Sequence, residues 1–195
     1  MAWPELALFI TACLALNITP GADMMFTIAS GMKGGWKAGL AASLGTALGL
    51  GVHVLAAALG LAALLAAHPS AYELLRWAGV AWLVWLAIQA FRAEPVAPGA
   101  GVASAAEALR GAALVNVLNP KTIIFILAFL PQFAHGLGQF LALGAIFMLT
   151  SLLTGALVGV MAGGLGKFIA HAGFLNKLSG GVMLALAAKL AVQPR

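Results

Sequence analysis

The chain predicts an all-α integral membrane protein of six transmembrane helices, arranged as two inverted three-helix repeats in which helices 1 and 4 are broken. Three observations predict it. Of 195 residues, 63% are hydrophobic and 8% charged, against about 25% charged in soluble domains; no soluble core could hide that much apolar surface. Six apolar runs nearly exhaust the chain, because each span takes about 20 mainly apolar residues. The first and fourth runs are interrupted at like positions by motifs containing Asn and Pro, the mark of paired broken helices in inverted repeats.

The first run covers about residues 4–31. The start Met-Ala-Trp-Pro-Glu lacks the basic segment of a cleavable signal peptide, so the run reads as the first span. Cys13 is the sole cysteine; it excludes an intrachain disulfide and reads as packing. The second run, about 39–67, carries Gly45 and Gly49 at four-residue spacing and His53 near its middle. The third covers about 72–92. Residues 93–109, with Pro95, Pro98, Gly99, Gly101 and two Glu, read as a flexible cytoplasmic linker. It divides the chain into a first repeat, 1–92, and a second, 110–195. The second repeat supplies runs of about 110–131, 138–164 and 173–192, the middle one with Gly155, Gly159 and Gly163. Glycines four apart let another backbone approach closely, either inside the fold or across a homodimer.

Basic residues set the orientation. Lys33, Lys37, Arg92, Arg110, Lys167 and Lys177 fall in the first, third and fifth connections, while Arg76, Lys189 and Arg195 fall on the other side. This bias places the odd connections in the cytoplasm and both termini outside. Two consecutive halves with three spans each then lie in opposite senses. The net charge of +5 is scattered between apolar runs and forms no nucleic-acid patch.

The chemistry is expected at the interruptions, Asn17-Ile-Thr-Pro-Gly-Ala-Asp23 and Asn116-Val-Leu-Asn-Pro-Lys121. Proline inside a helix removes a hydrogen bond and clashes with the preceding turn. Such backbone is tolerated in membranes where it lines a cavity or is buried in protein. Thr19 before Pro20 and Asn119 before Pro120 are capping residues followed by a proline suited to the first helical position, so a new helix should start at each. Helix N-termini opening inside the protein bind carboxylates, and Gly21 would let a ligand come close to the backbone. Asp23 and Lys121 are charges in otherwise apolar stretches, where an isolated charge costs about 3 kcal/mol. One arrangement has Lys121 and the helix ends holding a substrate carboxylate while Asp23 meets its ammonium or carries a proton. Another has Asp23 and Lys121 paired with each other, or snorkelling to opposite surfaces.

His53 could relay protons or be a neutral bond between helices. Gln89, Thr150, Ser151 and Thr154 could line a polar path, although Ser and Thr commonly bond to their own helix. His68, His135 and His171 have no Cys, Asp or Glu at ligand spacing, so no metal site is expected. No phosphate loop, nucleophile elbow or zinc-protease motif is present, so neither an enzyme nor a cofactor is expected.

The two interruptions resemble the paired N-x-T-P-G-P-[DN] and N-x-x-N-P-K elements of the LysE/RhtB superfamily of amino-acid exporters. The likeness extends over essentially the whole chain, including its size, the basic glycine-rich loop Gly31–Gly39 and the linker before Arg110-Gly111. Ala22 stands where that family has a second proline, so the turn should be softer here. The resemblance implies export of amino acids or related zwitterions across the bacterial inner membrane by antiport driven by a proton or ion gradient. It carries weight onto Asn17, Thr19, Pro20, Gly21, Asp23, Asn116, Asn119, Pro120 and Lys121 as substrate-binding residues, with Asp23 also a candidate for proton coupling. A passive solute channel and a non-transporting scaffold are the alternative readings.

Overall fold

The computed structural model describes residues 3–19, 21–67, 71–92, 101–170 and 173–192, with side chains left aside at 61–67, 71–72, 163–170 and 173–175. Seven α-helices and one short 3₁₀ turn make up these residues: α1 (Trp3–Ile18), α2 (Ala22–Ala67), α3 (Ala71–Arg92), α4 (Ala105–Val117), α5 (Pro120–Ala128), the turn Leu130–Gln132, α6 (Leu137–Ala170) and α7 (Gly173–Val192). No strand occurs among them.

Both interruptions are real breaks. α1 ends at Ile18 and α2 begins at Ala22, while α4 and the α5 segment meet at 53°. The loop expected at Gly31–Gly39 is not a loop. Helical hydrogen bonding continues through it, and only Gly35 leaves helical geometry, at φ 71° and ψ −168°, a conformation glycine adopts without steric cost. A straight helix of 46 residues would run about 69 Å, over twice the bilayer core. Gly35 divides it into residues 22–34 and 36–67.

α4 begins at Ala105, five residues ahead of the expected start at 110. The cause is a capping signal: the Ser104 side chain accepts from the Glu107 backbone N–H at 3.5 Å, the first half of an S-x-x-E capping box. The expected linker is thus partly helical, and Val102 N–H donates to Ser30 Oγ on α2 at 3.4 Å. Its residues 93–100 lie outside the described residues.

Where α2 and α6 face each other they are small or polar, and their outward faces are apolar. On α2 the exposed side chains include Leu44, Leu48, Val52, Leu55 and Leu59, and on α6 they include Leu149, Leu153 and Leu157. The opposite faces bury Ser43, Thr46 and glycines. In a soluble protein this arrangement would be inverted; in lipid it is the stable one, because tails solvate leucine and small residues let backbones approach. α2 packs chiefly on α6 and α4, α3 on α7, and α1 on α6 and α7. A Cβ added at Gly39 would fall 2.2 Å from the Gly159 carbonyl oxygen, and one at Gly45 2.1 Å from that of Leu109. Gly49 likewise meets Ala113 and Asn116, and Gly155 meets Ser43. The described glycine faces are therefore contacts within the chain and not a dimer seam; the surroundings of Gly163 lie outside the described residues. A phenylalanine cluster, Phe9, Phe125, Phe129, Phe133 and Phe147, ties α1, α5 and α6 together.

Candidate substrate site where the broken helices meet

α5 starts as its sequence dictates. Asn119 is extended at φ −83° and ψ 109°, its side-chain oxygen accepts from Lys121 N–H at 3.0 Å, and Pro120 occupies the first helical turn. The Asn119 carbonyl accepts from Thr122 and Ile123 N–H at 3.2 and 3.3 Å. The expected open N-terminus is thereby closed: the cap has taken the N–H groups that a carboxylate would need.

The other break works differently. Thr19 does not cap α2. Its hydroxyl bonds back to Ala15 O at 2.7 Å and meets the Ser179 hydroxyl, which also donates to Ala15 O at 2.7 Å. Thr19 therefore finishes α1, its N–H and its hydroxyl both closing onto Ala15 O. Pro20 lies outside the described residues.

Lys121 resolves the apparent conflict with its helix dipole. Its ammonium leaves α5 and reaches the C-terminal end of α1, donating to Leu16 O and Thr19 O at 3.2 Å each. Asp23 Oδ1 stands 3.7 Å from it, the two side chains being 9% and 15% exposed. The cation thus sits at the negative end of one helix, and the Asp23 carboxylate in the first turn of another, both favourable positions. Asn119 Nδ2 donates to Asp23 Oδ1 at 2.8 Å and Asn116 Nδ2 approaches Oδ2 at 3.5 Å. The sequence left open whether the charges serve a ligand or each other; here they are paired with each other.

Gly21 lies against this pair, a Cβ there falling 2.9 Å from Lys121 Nζ and 3.2 Å from Asp23 Oδ1. Asn17 donates to Thr150 Oγ1 at 3.4 Å, joining α1 to α6. His53 Nε2 is 3.0 Å from Asn116 O; a carbonyl only accepts, so this nitrogen carries the hydrogen, and His53 is a second donor, beside Asn119 N–H at 2.9 Å, to a carbonyl at the end of α4. Of the expected polar path, Thr150 and Thr154 bond back to Phe147 O and Thr150 O. Gln89 is on the exposed surface and takes no part. His135 is exposed at the loop before α6, and His68 and His171 lie outside the described residues. No cluster of three His, Cys, Asp or Glu able to hold a metal occurs among the described residues.

Sequence reasoning missed Thr27, Thr46 and Ser179. Beside Asp23 a polar cavity of about 30 Å³ is lined by Asn17, Thr27, Thr46, Ser151 and Thr154, at the scale of one ordered water. Buried Thr46 Oγ1 and Asn116 Oδ1 have no hydrogen-bond partner among the described residues. The available signal was Thr46 standing directly after Gly45, where the glycine draws a neighbouring helix close. A larger cavity of about 250 Å³ beyond His53, lined by Ala57, Gly60, Leu75, Ile123 and Ile126, is apolar and offers a zwitterion nothing.

Leucine-faced helices around one buried, neutralised charge pair, held by two interrupted spans, define a multi-pass membrane transport protein. The particular family is that of the LysE type translocators, to which this chain belongs: the family matches residues 14–194. It is a family of translocators rather than of enzymes, and the protein resides as a multi-pass protein in the bacterial inner membrane. The chain is 32% identical over 200 residues to an uncharacterized membrane protein of Vibrio cholerae, covering 95% of each. It is 30% identical over 154 residues to the homoserine/homoserine lactone efflux protein of Salmonella typhi, covering 75% of this chain and 74% of the relative. The protein of the same name from Salmonella typhimurium is 32% identical over 145 residues, covering 71% and 70%. No solved structure matches the chain.

Proposed function

We propose that this protein exports amino acids or similar zwitterionic metabolites from the cytoplasm by proton-coupled antiport, with the Asp23–Lys121 cluster as its substrate site. The observation that carries this reading is the cluster itself. One buried charge comes from each interrupted helix, where a merely structural bundle would have leucine, since each charge is costly in lipid. Asn17, Thr19, Gly21, Asn116 and Asn119 either contact this pair or hold the helix ends beside it, and Pro20 and Pro120 belong to the breaks. The efflux proteins of Salmonella, which act on homoserine and homoserine lactone by their names, favour small α-amino compounds as cargo, of which homoserine is a zwitterion.

In this reading residues 1–92 and 110–195 are inverted units that rock around the cluster. Asp23 takes up a proton on one side of the membrane and gives it up on the other, with His53 supporting the α4 end of the site. A proton crossing 100 mV supplies about 2.3 kcal/mol. The test is transport into inverted vesicles or oriented proteoliposomes with an imposed proton gradient and a panel of labelled amino acids including homoserine. Accumulation of one class above equilibrium, abolished by collapsing the gradient, is the expected result. Equilibration without accumulation would make the protein a channel, and no movement at all by folded protein would overturn the reading.

A further inference from the structure

The Lys121 ammonium is held as a ligand is held. It donates to Leu16 O and Thr19 O at 3.2 Å each and pairs by charge with Asp23 Oδ1 at 3.7 Å, beyond hydrogen-bond reach. The first is a carbonyl from the last turn of α1 and the second lies one residue past its end, where a helix leaves carbonyls without partners, and the third is fixed from behind by Asn119 Nδ2 at 2.8 Å. Gly21 keeps the space open, since a Cβ there would fall 2.9 Å from Nζ. None of these acceptors belongs to α5, the helix that carries Lys121. They form a cradle for a primary ammonium built by α1 and α2, into which a side chain from the other half of the chain reaches.

We propose that this cradle is the binding site for the free ammonium group of the transported molecule, and that Lys121 occupies it until an ion-pair exchange admits the substrate. The exchange rests on the exporter reading above and deepens it. The substrate ammonium takes Leu16 O, Thr19 O and Asp23; the released Lys121 ammonium pairs with the substrate carboxylate. Two charges of each sign are present before and after, so no unpaired charge is left in the membrane at either stage. The cavity of about 30 Å³ on another side of Asp23 is too small for an amino acid, so the cradle itself is what the substrate ammonium enters, and withdrawal of the lysine side chain makes room there. Two carbonyls and a facing carboxylate select a cation that carries N–H donors: free primary ammonium groups are taken, and N-acetylated forms, which lack the charge, or quaternary ammonium forms, which lack the donors, are not.

Lys121→Ala removes three carbons and the ammonium, the equivalent of n-propylammonium. The purified variant is melted in detergent with millimolar n-propylammonium or, as control, n-propanol. n-Propylammonium is expected to raise the melting midpoint by several degrees where n-propanol does not. Wild type, whose cradle is filled, should respond to neither, and Asp23→Asn added to Lys121→Ala should abolish the response. Should Lys121→Ala be recovered poorly, recovery of monodisperse protein with n-propylammonium present during extraction is the readout. Equal responses to amine and alcohol, or a variant that the amine neither stabilises nor recovers, would overturn the proposal. Efflux by wild type with no amine response would leave the exporter reading standing and remove the exchange; an amine response without amino-acid transport would keep the ammonium site and remove the exporter.

Discussion

The Asn119 side chain binds Asp23 across 96 residues of sequence: its Nδ2 donates to Asp23 Oδ1 at 2.8 Å while its oxygen accepts from Lys121 N–H at 3.0 Å. One amide thus caps α5 and orients the carboxylate that faces Lys121. Asparagine is the residue that can do both, because aspartate offers no donor and alanine offers neither group.

Asn119→Asp should therefore keep the cap but set two carboxylates against each other, lowering transport at least tenfold with little loss of helix content. Combining it with Asp23→Asn restores one carboxylate and one amide in exchanged positions and should recover part of the activity. Efflux rates and circular dichroism of the three variants check this; an inactive double variant as well folded as wild type would count against the swap.

Asp23→Asn alone leaves the Lys121 ammonium buried without its counter-charge, a loss of about 3 kcal/mol in comparable buried pairs. Lys121→Met should be of similar cost, and the double variant less destabilised than the sum of the two, since their effects share one interaction. Thermal melts in detergent measure the cycle. If Asp23 carries the coupled proton, any residual export by Asp23→Asn should also lose its dependence on external pH.

His53→Gln keeps a second donor for the Asn116 carbonyl, whereas His53→Leu leaves that carbonyl with the Asn119 N–H alone, a loss of about 1 kcal/mol. His53→Gln is expected to retain most activity, and His53→Leu to lose stability and transport together. A His53→Gln protein that is stable but has lost the pH dependence of export would instead give His53 the proton-relay role.

Gly39→Ala and Gly45→Ala each place a Cβ against a carbonyl oxygen of a neighbouring helix, so the backbones must separate. Both should reduce the yield of folded protein severalfold. Gly60→Ala and Gly138→Ala meet nothing within 4 Å and should be neutral or slightly stabilising. The loss at Gly39 and Gly45 should be the same in protein shown to be monomeric, because the contacts lie within one chain.

The sequence by itself determined the membrane class, the two breaks and the residues gathered at them. Composition leaves no soluble alternative, and Asn119-Pro120 encodes its helix start through a local hydrogen bond and a fixed φ. Local signals were misread in two places. Ser104 and Glu107 begin α4 early, and Gly35 keeps the Gly31–Gly39 stretch helical on both sides of a single turn. Only the tertiary structure decided what Thr19, Lys121 and the glycine faces do. The partners of Lys121 are carbonyls 105 and 102 residues away, and those of Gly45 and Gly39 are backbone atoms of α4 and α6. A backbone carbonyl has no signature in the sequence, so a site built from helix ends becomes legible only when the helices are set side by side.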